Sequence, residues 1–221
     1  MTPDNGADNM KSNDTTWYSH FASLAPTAAI LALVVGGCSV LPAPLPPDNI
    51  YLLEAPTIPA MSQPVASARR DVVLAVSLPR ARAGYDTSRM VWVRQAHGLE
   101  TYARSRWADV PARMLAPLIV QALERSGAFH AVVSAPSGVA AGLRLDTELV
   151  RLQQDFTVKP SEVRFTLGAQ LIDTATQRVI ATAEFDETEK CESEDAYGGV
   201  RAANRALERL LARVVEFCAG R

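Results

Sequence analysis

Residues 143–185 read LRLDTELVRLQQDFTVKPSEVRFTLGAQLIDTATQRVIATAEF, and this stretch decides the fold. Leu143, Leu145, Thr147 and Leu149 fall on one side of an extended chain, while Arg144, Asp146 and Glu148 fall on the other. Successive side chains of a strand point to opposite faces. The run 143–156 is therefore a strand packed on one face and wet on the other. The pattern returns over 163–172, with Val163, Phe165, Leu167, Ala169 and Leu171 inward. A polar turn at 173–177 leads into a third strand over 178–185, which completes an antiparallel meander.

Such a sheet needs a cover for its apolar face. Downstream, Val200, Asn204, Leu207, Leu211, Val214 and Cys218 recur at helical spacing. They predict one helix over 197–217, about 30 Å long at 1.5 Å per residue. Upstream, Leu115, Leu118, Ile119, Ala122 and Leu123 mark a second helical face. Asp109 is placed to cap that helix, Pro111 suits its first turn, and Gly127 suits its stop. Pro117 predicts a kink or a later start. Strands are expected over 50–54, 71–78 and 129–133, and a hairpin pairs 90–94 with 99–104 around Gln95-Ala96-His97-Gly98. Residues 55–70 carry three prolines without periodicity and read as a loop. The expected fold is α/β: a single domain with a mostly antiparallel sheet and two main helices on one face.

Before this domain lies a different kind of segment. Residues 21–35 (FASLAPTAAILALVV) carry no charge and are too short to cross a bilayer as a helix, which takes about 20 residues. The run ends in Val35-Gly36-Gly37-Cys38, which resembles the lipobox of bacterial lipoprotein signal peptides. That resemblance implies a signal peptide over 1–37 and lipidation of Cys38 with diacylglycerol, a further acyl chain such as palmitate going to the new amino terminus. Asp4, Asp8 and Asp14 outnumber Lys11 ahead of the apolar run, and a start at Met10 would place Lys11 near the front of the leader. Two or more acyl chains anchor a protein stably, whereas one binds only marginally. Ser39 follows the cysteine, where an aspartate is the usual inner-membrane retention signal of enteric bacteria. The expectation is an outer-membrane anchor facing the periplasm. Residues 38–49 hold Pro42, Pro44, Pro46 and Pro47 and read as an extended tether that lifts the domain, 50–221, roughly 30 Å off the lipid.

Two further cysteines, Cys191 and Cys218, invite a disulfide in an exported protein. They fall at opposite ends of the last helix, however, and a disulfide needs Cα atoms within about 7 Å. Two unbridged thiols are expected.

Little in the sequence points to catalysis. A net charge of −2 on 221 residues lacks the basic footprint of a nucleic-acid binder. His97 and His130 have no Cys, Asp or Glu at metal spacing, and neither a phosphate loop nor a Gly-x-Ser-x-Gly elbow occurs. No cofactor or metal site is expected. Glu187, Glu189, Glu192, Glu194 and Asp195 surround Cys191. They admit a paired-carboxylate role but fit a solvated loop better, with Glu194 or Asp195 favouring the helix start. Arg104 and Arg106 beside Trp107 suggest a cation–π patch or a helix entry. Trp92 and Trp107 are candidates for a partner surface or for the core.

Residues 90–133 (MVWVRQAHGLETYARSRWADVPARMLAPLIVQALERSGAFHAVV) give the sequence a family likeness. A Val-x-Val-Arg strand, a hairpin, a second strand with Tyr102, then Trp107-Ala108, Pro111 and a long helix, then Ser126-Gly127-x-Phe129, resemble the ABC-type transport auxiliary lipoproteins, paraquat-inducible protein C among them. Tyr51-Leu52-Leu53 is similar to that family's first strand. The resemblance implies a non-catalytic outer-membrane lipoprotein that docks the periplasmic lipid conduit of a system built from an ATPase, a permease and an MCE-domain protein. Membrane attachment follows from the lipid anchor, while contact with phospholipid and self-association stay open. Cys38 alone carries over as a functional residue. Alternative readings are a lipid-binding carrier, which needs an acyl-sized cavity between sheet and helices, and an assembly or plug factor for an outer-membrane β-barrel.

Overall fold

The computed structural model describes residues 47–54 and 69–220. In chain order these form β1 (Asn49–Tyr51), β2 (Arg70–Val76), β3 (Arg80–Ala81), β4 (Arg89–Val93), β5 (Glu100–Trp107), α1 (Pro111–Ser126), β6 (Phe129–Ser134), β7 (Leu143–Asp155), β8 (Glu162–Asp173), β9 (Arg178–Lys190) and α2 (Ala196–Ala219). The fold is the expected α/β domain, one open sheet with two helices packed on it. Its longest pairings, β7 with β8 and β8 with β9, are antiparallel.

Strand β7 organises the sheet. Its inward residues Leu143, Leu145, Thr147 and Leu149 are buried as the alternation predicts, and β8 buries Val163, Phe165, Leu167, Ala169 and Leu171. One edge of β7 carries β8 along most of its length. The other edge takes three short strands in succession, all parallel to it: β2 at Leu143–Leu145, β3 at Glu148–Leu149 and β4 at Gln154–Asp155. Strand β2 also pairs with β6 in parallel, and β1 with β5. These parallel seams were not expected from the meander. A register shift between Leu149 and Arg151 leaves Val150, itself buried, as a bulge, so that Leu152 and Gln154 rather than Arg151 and Gln153 continue the inward row.

Helix α1 buries Leu115, Ile119, Ala122 and Leu123, and α2 buries Val200, Leu207, Leu211, Val214 and Cys218 along its stripe. Helix α1 lies over β6 with β2 and β7, α2 lies over β8 and β9, and with the inward residues of the sheet they make one apolar core. Gly127 closes α1 in the left-handed conformation at φ 66°, where a β-carbon would be strained.

Several local expectations change. Asp109 is not the N-cap of α1. That position is Val110, with no side-chain cap, and Asp109 accepts from the Val110 N–H at 2.7 Å and pairs with Arg113 at 3.2 Å. Pro117 delays nothing: α1 starts at Pro111 and runs through it. Pro117 lies on the exposed face, so the Arg113 carbonyl that loses its helical partner can bond water instead. Strand β1 ends at Tyr51 rather than Glu54. Strand β9 continues to Lys190, so Glu187 and Glu189 belong to the sheet and not to a solvated loop.

Candidate docking surface

Cys38, the signal peptide over 1–37 and most of the tether lie outside the described residues. The other predicted chemistry is spread apart. Cys191 and Cys218 are free, and both are buried. Burial raises the Cys191 thiol above its ordinary value and pushes the Cys218 thiol up to about 12. His97 occupies the β4–β5 turn at φ 65°, and His130 lies 3.4 Å from Asp71 on the surface. Among the described residues no group of three or more His, Cys, Asp or Glu side chains is placed to hold a metal.

Trp107 belongs to the core at 4% exposure, and Arg106 turns to Asp48 at 3.6 Å, so the Arg104–Arg106–Trp107 run is a helix entry and not a cation–π patch. Arginine–aromatic contacts form elsewhere, where the β4–β5 hairpin meets the start of α2. The Arg94 guanidinium stands 4.3 Å from the Trp92 ring and is held by Glu100 at 2.9 Å. Trp92 packs against Tyr102 at 6.1 Å and edge-on against Phe156 at 5.8 Å. In the first turn of α2, Tyr197 lies 6.1 Å from Tyr51 and 5.9 Å from the Arg201 guanidinium. Ile50, Leu52 and Tyr197 are each more than half exposed. Partly exposed aromatic rings with arginine beside them are the composition that dominates binding hot spots.

A buried polar chain fixes this surface. The Tyr102 hydroxyl donates to Gln154 Oε1 at 2.8 Å, Gln154 Nε2 donates to Ser161 Oγ at 2.9 Å, and the Ser161 N–H donates to Glu194 at 2.8 Å. Burial raises the Tyr102 hydroxyl above its ordinary value, and the nearby Cys191, Asp195 and Glu194 raise it further, so it stays a donor. Next along the chain, Asp195 caps α2 by accepting from the Gly198 N–H at 2.7 Å. That bond, with one from Ser193, holds its carboxyl below the ordinary value.

Helix α2 is locked to the sheet by arginines spaced four apart. Arg205 pairs with Glu189 at 2.7 Å and Glu192 at 2.8 Å. Arg209 pairs with Glu187 at 3.1 Å and Glu189 at 2.9 Å, and Arg213 pairs with Glu187 at 2.8 Å. Arg201 reaches Glu192. The same arginines donate to carbonyl oxygens of β9, Arg205 to Lys190 and Arg209 to Thr188 at 3.1 Å each. They thereby cover part of an edge strand that would otherwise offer free acceptors. The acidic run is thus a structural clamp, and the four-residue spacing of Arg201, Arg205, Arg209 and Arg213 was the sequence signal for it.

Between the hairpin and α2 runs a crevice lined by Met90, Tyr102, Trp107, Leu152, Gly199 and Ala203, with a cavity of about 10 Å³. That is room for about one water, too little for an acyl chain. Taken together, these features make a partly exposed aromatic surface with arginines beside it.

Comparisons with known proteins come from sequence and from shape. The family described as ABC-type transport auxiliary lipoprotein component matches residues 51–215. No curated protein sequence matches the chain. Among solved structures, a protein from Xanthomonas campestris, XCC0632 of the DUF330 family, is 23% identical with a TM-score of 0.69, covering 77% of this chain and 94% of that one. A structure described only as an uncharacterized protein is 11% identical with a TM-score of 0.61, covering 78% and 99%. Both share the fold. PelC from Paraburkholderia phytofirmans, solved as a dodecamer, overlaps only loosely, at 18% identity and a TM-score of 0.37 over 66% of this chain and 90% of that one.

Proposed function

The chain belongs to the family of ABC-type transport auxiliary lipoprotein components, and on that premise we propose that it is a non-catalytic docking subunit of an MCE-type lipid transport system. It sits in the cell envelope, lipidated on Cys38, anchored in the outer membrane and facing the periplasm. Its folded domain receives the periplasmic lipid conduit that an MCE-domain protein forms with its ABC permease and ATPase. The observation that carries this reading is the family match, which runs from Tyr51 through most of α2 and so takes in both sides of the aromatic surface. The contact with the conduit is assigned to that surface: Trp92 and Phe156 with Arg94 on one side, Tyr51 and Tyr197 with Arg201 on the other. A carrier that shelters an acyl chain under its helices is less well supported, because the crevice there has room for about one water.

The test is a mild-detergent purification of the full, C-terminally tagged chain from cell envelopes, with mass spectrometry of what accompanies it. An ATPase, a permease and an MCE-domain protein are the expected companions. A β-barrel alone, or bound lipid with no protein partner, would replace this reading with the assembly factor or the carrier. In the same sample, a diacylglycerol-modified Cys38 peptide tests the anchor separately.

A further inference from the structure

The opposite face of the sheet carries a second feature that the docking reading does not use. The bulge in β7 turns Arg151, Gln153 and Asp155 away from the helices, and the β4–β5 turn overhangs them. The result is a groove of about 820 Å³, lined by Tyr85, His97, Leu99, Arg151, Gln153 and Arg164 among others. Gln153 lies across the strand pair from Arg164, and Arg151 across from Thr166.

The polar groups of this groove are unevenly satisfied. Asp155 is occupied, accepting from the Thr157 N–H at 2.9 Å and from its hydroxyl. Gln153 Oε1 accepts from the Tyr85 hydroxyl, which leaves its amide N–H groups as donors. Arg151 is partly buried, lies against the Tyr85 hydroxyl and forms no ion pair among the described residues. Arg164 has one carboxylate contact, 3.4 Å to Asp186, and its buried Nε has no partner. The open groups include the Arg151 guanidinium, the Arg164 Nε and the Gln153 amide N–H; the lining carboxylate Asp155 is engaged, and Asp186 meets Arg164 through a single 3.4 Å contact. A ligand complementary to these donors is acceptor-rich, with several oxygens able to face guanidinium forks.

We propose that this groove binds a phosphate group, with Arg151 and Arg164 as its cationic contacts and Gln153 as a neutral donor. A glycerophospholipid headgroup and inorganic phosphate share that chemistry. Leu99, half exposed on the same wall, offers an apolar contact that only the lipid can use. The site stands apart from the transport reading: it requires neither an MCE partner nor the anchor.

The experiment is calorimetric titration of the full chain, purified in an uncharged detergent, with two probes and matched blanks of empty micelles. The probes are inorganic phosphate and dihexanoylphosphatidic acid. Saturable binding is expected, weakened at least about tenfold in Arg151→Gln and in Arg164→Gln, the loss expected on removing a charged hydrogen bond. Arg80→Gln, outside the groove, should bind like the parent chain. Tighter binding of the phosphatidate supports a headgroup, and equal binding of both probes supports free phosphate, each with the same arginine dependence. Thermal melts of each variant check folding, and Arg151→Lys should recover part of the affinity. Binding of neither probe, or binding unchanged in Arg151→Gln and Arg164→Gln, overturns the proposal.

Discussion

Gly199 on α2 and Gln154 on β7 approach so closely that a β-carbon on the glycine would overlap Gln154 Oε1 and sit 3.1 Å from its Cδ. The missing side chain lets Gln154 reach Tyr102 and Ser161 under the helix. Gly199→Ala should therefore destabilise the protein by roughly 1–3 kcal/mol, the usual cost of overpacking. Helix propensity alone predicts the reverse sign, a gain of about 1 kcal/mol. Urea unfolding distinguishes the two, and adding Gln154→Ala should cost less than the sum of the single changes.

The clamp between β9 and α2 makes stability depend on pH. Burial pushes the Glu189 carboxyl up, but the Arg205 and Arg209 guanidinium groups outweigh that and hold it below its ordinary 4.5. A carboxyl lowered in the folded state stabilises the fold above its unfolded value, and that stabilisation is lost as pH falls through the folded value. Glu189→Gln should be less stable than the parent at pH 7, and the two should converge as the pH drops below 4.5. Parallel denaturation curves across that range check this; a constant difference would refute it.

Thr147 faces the core between Leu145 and Leu149, and its hydroxyl is buried without a hydrogen-bond partner among the described residues. Replacing it with valine removes an unsatisfied polar group from an apolar site. Thr147→Val should raise stability by about 1 kcal/mol. A loss of stability in the melt would mean that the hydroxyl has a partner after all.

The buried thiols should be silent in the folded protein. With Cys218 pushed up to about 12 and Cys191 also raised by burial, almost no thiolate exists at pH 8. A thiol-reactive chromophore should label neither until denaturant is added, and then both. Prompt labelling of native protein would contradict their burial.

Much of this fold is legible from local pattern. The alternation at Leu143–Leu149 and Val163–Leu171 and the apolar stripe of α2 each repeat within one element, so a short window reveals them. What escapes is set at a distance. Lower β9 reads as a loop because Glu187 and Glu189 occupy its inward face, where a strand would ordinarily show apolar residues; their counterparts are arginines on α2. The seams of β2, β3 and β4 against β7 join segments far apart in sequence, and no local signal sets their register. The bulge before Arg151 reverses which residues face inward, and plain alternation would have buried Arg151 and Gln153. The candidate surface was partly visible in Trp92, but Tyr51 and Tyr197 meet only in the folded chain.

The measurement that bears most directly on the central claim is site-specific photo-crosslinking in living cells. A photoreactive phenylalanine analogue replaces Tyr197, at the docking surface, or Gln170, on the opposite face of the sheet, in the full chain. Adducts with an MCE-domain protein from position 197 and none from position 170 are the predicted result. No adduct from 197, or adducts only with a β-barrel, would contradict the assignment of this surface to the lipid conduit.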